Sequence, residues 1–337
     1  MAKFPAHTPD HKKVVIALRI LLIMIVGLMA LGAGVRAMDA GLSCPDWPLC
    51  FGKIVPDFHP AVWFEFVHRA YAGLVALLFL WVCYRVILHR NAQQFSLEAK
   101  RAALAGLFFL TLQIVMGGLT VLLLVKWIIV TSHLMLATLF FGSVLWLLYA
   151  IRPQVETSGG QVSGVFKNLA AFFTVATFVQ IFVGGAVAST YAGSICVDWP
   201  LCGGQWVPTW TGAIGLQIIH RFMAYGLALA FFVFAIVLHF VKMRANPKWL
   251  SEQILSLSRW TAVIVLLQVV VGVANLVFYM PPAVTVLHQS VAVLLFAINL
   301  RFFLVARALY APKTATVRVT SVAPNQTPTQ AVGGVSG

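Results

Sequence analysis

Long unbroken stretches of apolar residues, separated by short polar segments, dominate the pattern of this chain. Eight of them are long enough for a helix of about 20 residues to cross a hydrocarbon layer roughly 30 Å thick. They cover 14–35, 62–84, 102–125, 128–151, 166–188, 213–240, 259–279 and 283–307. None alternates apolar and polar positions as a half-buried strand would, and an open sheet edge finds no partners in lipid. The pattern predicts an all-α membrane protein with eight transmembrane helices.

The polar segments supply the orientation. Lys3, Lys12, Lys13 and Arg19 precede or open the first run, and Arg85, Arg90, Lys100 and Arg101 separate the second from the third. Arg152 and Lys167 flank the central connection, and Lys242, Arg244, Lys248 and Arg259 bracket the sixth-to-seventh one. The segment from Met38 to Phe64 has only Lys53 against Asp39, Asp46 and Asp57, and Ser189 to Thr211 has Asp198 and no base. Basic residues gather on the cytoplasmic side, so both termini are expected there. The first run is too long for a signal peptide and no small-residue cleavage site follows it.

Composition agrees. Only 9% of the 337 residues are charged, against roughly 25% in a soluble domain, so a polar surface cannot be built. A formal net charge of +14 would point to nucleic acid in a soluble protein, but here it follows from membrane topology.

The chain also repeats itself. Cys44-Pro-Asp-Trp-Pro-Leu-Cys50 returns as Cys196-Val-Asp-Trp-Pro-Leu-Cys202, and His68-Arg69 returns as His220-Arg221, both 152 residues later. Gln113-Ile-Val-Met-Gly117 returns as Gln268-Val-Val-Val-Gly272 and His133 as His288, both 155 residues later. Two homologous four-helix bundles follow, and an even helix number makes them a parallel repeat. The expected organisation is a cytoplasmic tail over 1–13, bundles over 14–151 and 166–310, a linker over 152–165, and a disordered tail over 311–337, rich in Thr, Pro, Val and Gly.

Of nine histidines, His68, His133, His220 and His288 fall inside spans, each near the outer end of an even-numbered helix and at matching depth. Polar residues in lipid are costly and mark function. Two imidazoles per half are too few for a closed zinc site, which needs four ligands, but they suit the two axial positions of a haem. The competing reading is a set of hydrogen-bonded core histidines. His7, His11, His59, His89 and His239 lie in tails, loops or helix ends, where no ligand role is expected.

Arg69 and Arg221, next to two of these histidines, could pair with haem propionates or anchor in headgroups. Gly32, Gly34, Gly117, Gly118, Gly184, Gly185 and Gly272 permit close approach, of another helix or of a porphyrin face. Glu65 is the single acid within a span, three residues before His68 and so on its helix face. Its counterpart is Gln217. One half therefore carries a titratable group that could act as a base or face developing positive charge, unless it is merely paired to Arg69.

Four of five cysteines form two Cys-x5-Cys pairs in loops expected outside, where disulfides persist. Cys44–Cys50 and Cys196–Cys202 bonds bracing lids over the histidines are predicted, with redox chemistry at Cys44–Cys50 as the other reading. Cys83, near the inner end of the second span, reads as a packing residue. Trp47, Trp63, Trp199, Trp206 and Trp210 cluster on the outer side like an interfacial belt.

Taken together, the eight spans in two halves, Leu42-Ser-Cys-Pro-Asp-Trp-Pro-Leu-Cys50, Glu65-x-x-His68-Arg69, and the positions of His133, His220 and His288 closely resemble the haem A synthase family. The resemblance covers nearly all of the chain except its tail. It implies oxidation of a ring methyl of haem O to a formyl group by successive hydroxylations, giving haem A for terminal oxidases. It implies a haem b cofactor on His220 and His288, substrate haem O between His68 and His133, and Glu65 as the catalytic residue. Some family members lack the cysteine pairs, which therefore cannot all be indispensable. A cell membrane of bacterial type, haem sites toward the outer side, an electron acceptor, a haem O synthase, an oxidase assembly factor and self-association are the setting it brings. The rival classes are a di-haem b electron-transfer protein, which leaves Glu65 and the loops unexplained, and a transporter, which would need a polar midplane site.

Overall fold

The computed structural model describes residues 9–151 and 161–310. The expected tail over 311–337, most of the expected linker and residues 1–8, including His7, lie outside the described residues. Eight helices follow in order: α1 (Pro9–Ala37), α2 (Pro60–Cys83), α3 (Leu97–Leu122), α4 (Trp127–Ile151), α5 (Gly164–Ser189), α6 (Gly212–Ala245), α7 (Glu252–Val277) and α8 (Pro282–Leu309). All eight are long and apolar enough to cross a membrane. Among the described residues, β pairing is limited to isolated bridges, so the chain is an all-α, multi-pass membrane protein.

Local chemistry sets the helix ends. Ser96, Ser163 and Ser251 cap α3, α5 and α7, each hydroxyl accepting from the backbone N–H three residues on. Pro60 and Pro282 open α2 and α8, where a missing N–H costs nothing. Several helices begin before or run past the apolar stretches, because hydropathy marks the lipid layer and caps mark the helix. Thus α3 begins at Leu97 and α7 at Glu252, and α6 continues to Ala245. At their other ends α3 and α7 stop at Leu122 and Val277, short of the expected 125 and 279.

The helix α1 begins at Pro9, within the stretch expected as a cytoplasmic tail over 1–13. Its first turn docks on neighbours: Asp10 pairs with Arg85 and accepts from Asn91 at 2.5 Å. His11, read as a tail residue, has Nε2 2.9 Å from the Ile151 carbonyl oxygen.

Within the first half α1 packs on α2 and α4, and α3 on α4; within the second, α5 packs on α6 and α8, and α7 on α6 and α8. Across the halves α1 meets α8 and α4 meets α5. The first-half core joins Val14, Leu18 and Leu21 of α1 to Phe79 of α2 and Leu147 of α4, all buried. A methyl on Gly106 of α3 would stand 2.5 Å from the Phe79 ring, so that glycine sets how closely α2 and α3 approach. Outside, Ile23, Leu77 and Leu229 are 74%, 65% and 66% exposed; such a surface is stable only against lipid.

Candidate functional site

Each of the four span histidines stands in a notch made by a glycine on the preceding helix. A Cβ placed on Gly32 of α1 would lie 3.0 Å from His68 Cε1, and one on Gly117 of α3 would lie 3.2 Å from His133 Cε1. The corresponding distances are 2.9 Å for Gly184 against His220 and 2.8 Å for Gly272 against His288. Of the two uses that sequence left open for these four glycines, the structure picks a third: each makes room for an imidazole. Gly118 instead receives the Trp47 ring, and Gly34 the Phe64 ring.

All four rings are half-buried and lie at the disulfide-loop end of the bundle. His68 and His220 come eight residues after the first residue of their helices, His133 and His288 six. The rings fall two to each half, His68 on α2 with His133 on α4 and His220 on α6 with His288 on α8. Among the described residues, no three His, Cys, Asp or Glu side chains gather as ligands to one ion. Paired imidazoles fit a metal that carries its own equatorial ligands. Buried nitrogen that lacks a partner among the described residues, Nδ1 of His68 and of His133, agrees with that fit.

Amides stand beside three of the rings. Gln113 Nε2 is 3.1 Å from His133 Nε2, Gln180 Nε2 is 3.1 Å from His220 Nδ1, and Gln268 Nε2 is 3.2 Å from both nitrogens of His288. Sequence reasoning used Gln113 and Gln268 only as repeat markers and passed over Gln180. The available signal was Gln-x-x-x-Gly, present at Gln113–Gly117, Gln180–Gly184 and Gln268–Gly272.

Above the histidines lie two loops closed by Cys44–Cys50 and Cys196–Cys202 disulfides. Each contains a cis Trp-Pro bond, at Trp47-Pro48 and Trp199-Pro200. Asp46 accepts from the N–H groups of Phe51 and Gly52 at 2.6 and 2.8 Å, and Asp198 from Gly203 and Gly204 at 3.0 and 3.1 Å. Gly52, Gly203 and Gly204 all hold positive φ, which suits glycine. The Gly52 N–H, with help from Phe51 and the Arg69 charge, holds the Asp46 carboxyl below its ordinary value. The Gly204 and Gly203 N–H groups do the same for Asp198.

The arginines anchor these loops. Arg69 donates to the carbonyls of Asp46, Leu49 and Cys44 at 2.7, 2.6 and 3.2 Å. Arg221 donates to the counterparts, Asp198, Leu201 and Cys196, at 3.0, 2.6 and 2.6 Å. Nearby loop carbonyls, which need donors once they leave water, take three of the N–H groups of each guanidinium.

Glu65 is 4% exposed and pairs with Arg69 at 2.5 Å, while its other oxygen accepts the Cys44 N–H at 2.8 Å. Gln217, equally buried, has an Oε1 with no partner among the described residues. The two halves share the arginine clasp and differ in the carboxylate. Cys83 is buried with its thiol 3.8 Å from the Ala103 carbonyl, a packing position. His59, His89 and His239 stay at or near helix ends and loops, away from the four rings.

A family model for cytochrome oxidase assembly proteins, COX15-CtaA, matches residues 16–300. The chain is 33% identical over 229 residues to "Heme A synthase" of Shouchella clausii, covering 65% of this chain and 72% of that protein. It is 29% identical over 330 residues to "Heme A synthase" of Shewanella oneidensis, 85% of this chain and 95% of that one. With "Heme A synthase" of Bradyrhizobium sp. it shares 29% identity over 342 residues, covering 84% and 90%. The notched imidazole pairs and the clasped loops are thus features of a protein that belongs to the COX15-CtaA family of cytochrome oxidase assembly proteins.

Proposed function

We propose that this chain is a haem A synthase, oxidising a ring methyl of haem O to a formyl group by successive hydroxylations to give haem A. One arrangement carries the reading: two imidazole pairs, each ring set in a glycine notch, with Glu65 on the helix of one pair and Gln217 in its place on the other. His220 and His288 would hold haem b, and His68 and His133 the substrate haem O. Haem b, when bound, supplies a one-electron carrier that takes electrons from the substrate site toward an acceptor.

Glu65 is the group we assign to the reacting carbon. Arg69 and the Cys44 N–H each occupy one carboxylate oxygen, and a carboxylate keeps about two further acceptor positions. These can accept a proton or face positive charge as it develops at the methyl carbon. Arg69 and Arg221 keep the disulfide loops closed over the pockets, which limits the entry of bulk water. The bias of basic residues supports a topology with both termini in the cytoplasm and both imidazole pairs toward the outer side of a bacterial-type cell membrane. Haem O synthase, an oxidase assembly factor and a further copy of the chain are the partners this role would involve.

The deciding experiment is porphyrin extraction from protein purified out of cells that make haem O. Haem O and haem A beside haem b is the expected result. Two equivalents of haem b alone would overturn the proposal in favour of a di-haem b electron-transfer protein.

A further inference from the structure

The four imidazoles are not held alike. Gln113, Gln180 and Gln268 each precede a notch glycine by four residues, so amide and notch share one face of the helix. Each amide lies 3.1–3.2 Å from the ring in its notch. Four residues before Gly32, the same helix position is Leu28. Its isobutyl group has no hydrogen-bonding atom, and among the described residues neither ring nitrogen of His68 has a hydrogen-bond partner, whereas His133, whose Nδ1 is likewise orphaned, meets Gln113 through Nε2.

An amide beside an imidazole restricts rotation of the ring whether it presents its N–H or its oxygen. Such orienting partners are worth roughly 10–100-fold in metal affinity. Three rings therefore carry this restraint and His68 does not. The half containing His68 is also the half whose occupant must enter and leave in every catalytic cycle, if the haem assignment above is right. A cofactor site has no such need, and both of its histidines keep their glutamines.

We infer that His68 is the releasable axial ligand of the first-half pocket, and that Leu28, standing where the repeat elsewhere has glutamine, makes it so. His133, held by Gln113, stays as the fixed ligand, so haem O is exchanged by opening on the α2 side. Gln113, Gln180 and Gln268 are positioning residues that act through their histidines.

This inference rests on the haem reading, and its test separates the two. Purified protein loaded with haem O is mixed with excess apomyoglobin, and porphyrin release is followed in the Soret band, each released porphyrin being typed by its haemochrome spectrum. Haem O should leave faster than haem b. Leu28→Gln should slow haem O release about 10-fold, while Leu28→Met, which matches the size without an amide, should not. Equal release rates from Leu28→Gln and Leu28→Met would overturn the inference. If Leu28→Gln does not accumulate, Gln180→Leu decides from the other half: about 10-fold faster haem b release supports the inference, and unchanged release refutes it. Protein that retains no porphyrin at all would instead sink the haem assignment.

Discussion

Arg36 donates through Nη1 to the carbonyl oxygen of Ala188, its own counterpart 152 residues further along the chain, at 2.8 Å. Tyr191 repeats the relationship, its hydroxyl meeting Asp39, again 152 residues away, at 2.9 Å. Both contacts thus link positions at the same 152-residue offset as the Cys-x5-Cys and His-Arg motifs. These contacts join the loop-side ends of α1 and α5, so the halves meet through polar groups as well as through packing. A charged donor on a half-buried carbonyl contributes about 1.5–3 kcal/mol. Arg36→Ala should lower the thermal unfolding midpoint in detergent clearly more than Tyr191→Phe, whose phenol is exposed. Equal midpoints for Arg36→Ala and the unaltered protein would show that the Arg36–Ala188 contact carries no stability.

Glu65 can be separated from its structural neighbours. Glu65→Gln keeps the shape and an oxygen for the Cys44 N–H, and it reproduces Gln217 of the second half. Haem b should remain bound with its spectrum unaltered, while haem A formation falls by at least about 100-fold, the usual scale of a lost acid–base group. Glu65→Ala should do the same and also loosen the Cys44–Cys50 loop. Porphyrin extraction measures the first effect; haem A at the unaltered level would remove Glu65 from the chemistry.

The glycine notches make a sharper steric prediction. Gly272→Ala would place a methyl 2.8 Å from His288 Cε1, so ring or helix must move. Haem b occupancy should drop about 10-fold or more, read as the Soret absorbance per mole of protein. Gly226→Ala on α6 is the control, because its methyl meets open space and should leave occupancy unchanged.

The loops should respond to acid. The fold stabilises the ionised form of Asp46, through Gly52 first, and of Asp198, through Gly204 first, so both carboxyls sit below their ordinary 3.8. A depressed value means the stabilisation is fully present above that pH and is lost as pH falls through the folded value. Emission from Trp47 and Trp199, inside the loops, should therefore be constant from neutrality to about pH 5 and shift only in stronger acid. In Asp46→Asn with Asp198→Asn, that acid step should vanish; its persistence would place the titrating group elsewhere.

Much of the architecture was readable before any coordinates. Lipid offers no partners to backbone groups, so each span had to be a continuous apolar run, and eight runs gave eight helices. His68, His133, His220 and His288 were visible because imidazole in an apolar run is expensive. Gln180 was missed because glutamine near a membrane interface is unremarkable until its distance to His220 is known. The loop clasp of the arginines was not legible either: guanidinium matches carboxylates and carbonyls alike, and only the folded loops bring the carbonyls of Asp46, Leu49 and Cys44 within reach of Arg69.

Hydropathy, charge bias and repeat offset are properties of neighbouring positions along the chain. They sufficed for the eight spans and for picking out the four histidines within them. Which glycine receives which ring, which histidine lacks an amide, and that Arg36 reaches Ala188 depend on the rotation and spacing of helices far apart in sequence. Those are settled by side chains interlocking between helices, where a single methyl group decides whether an imidazole fits.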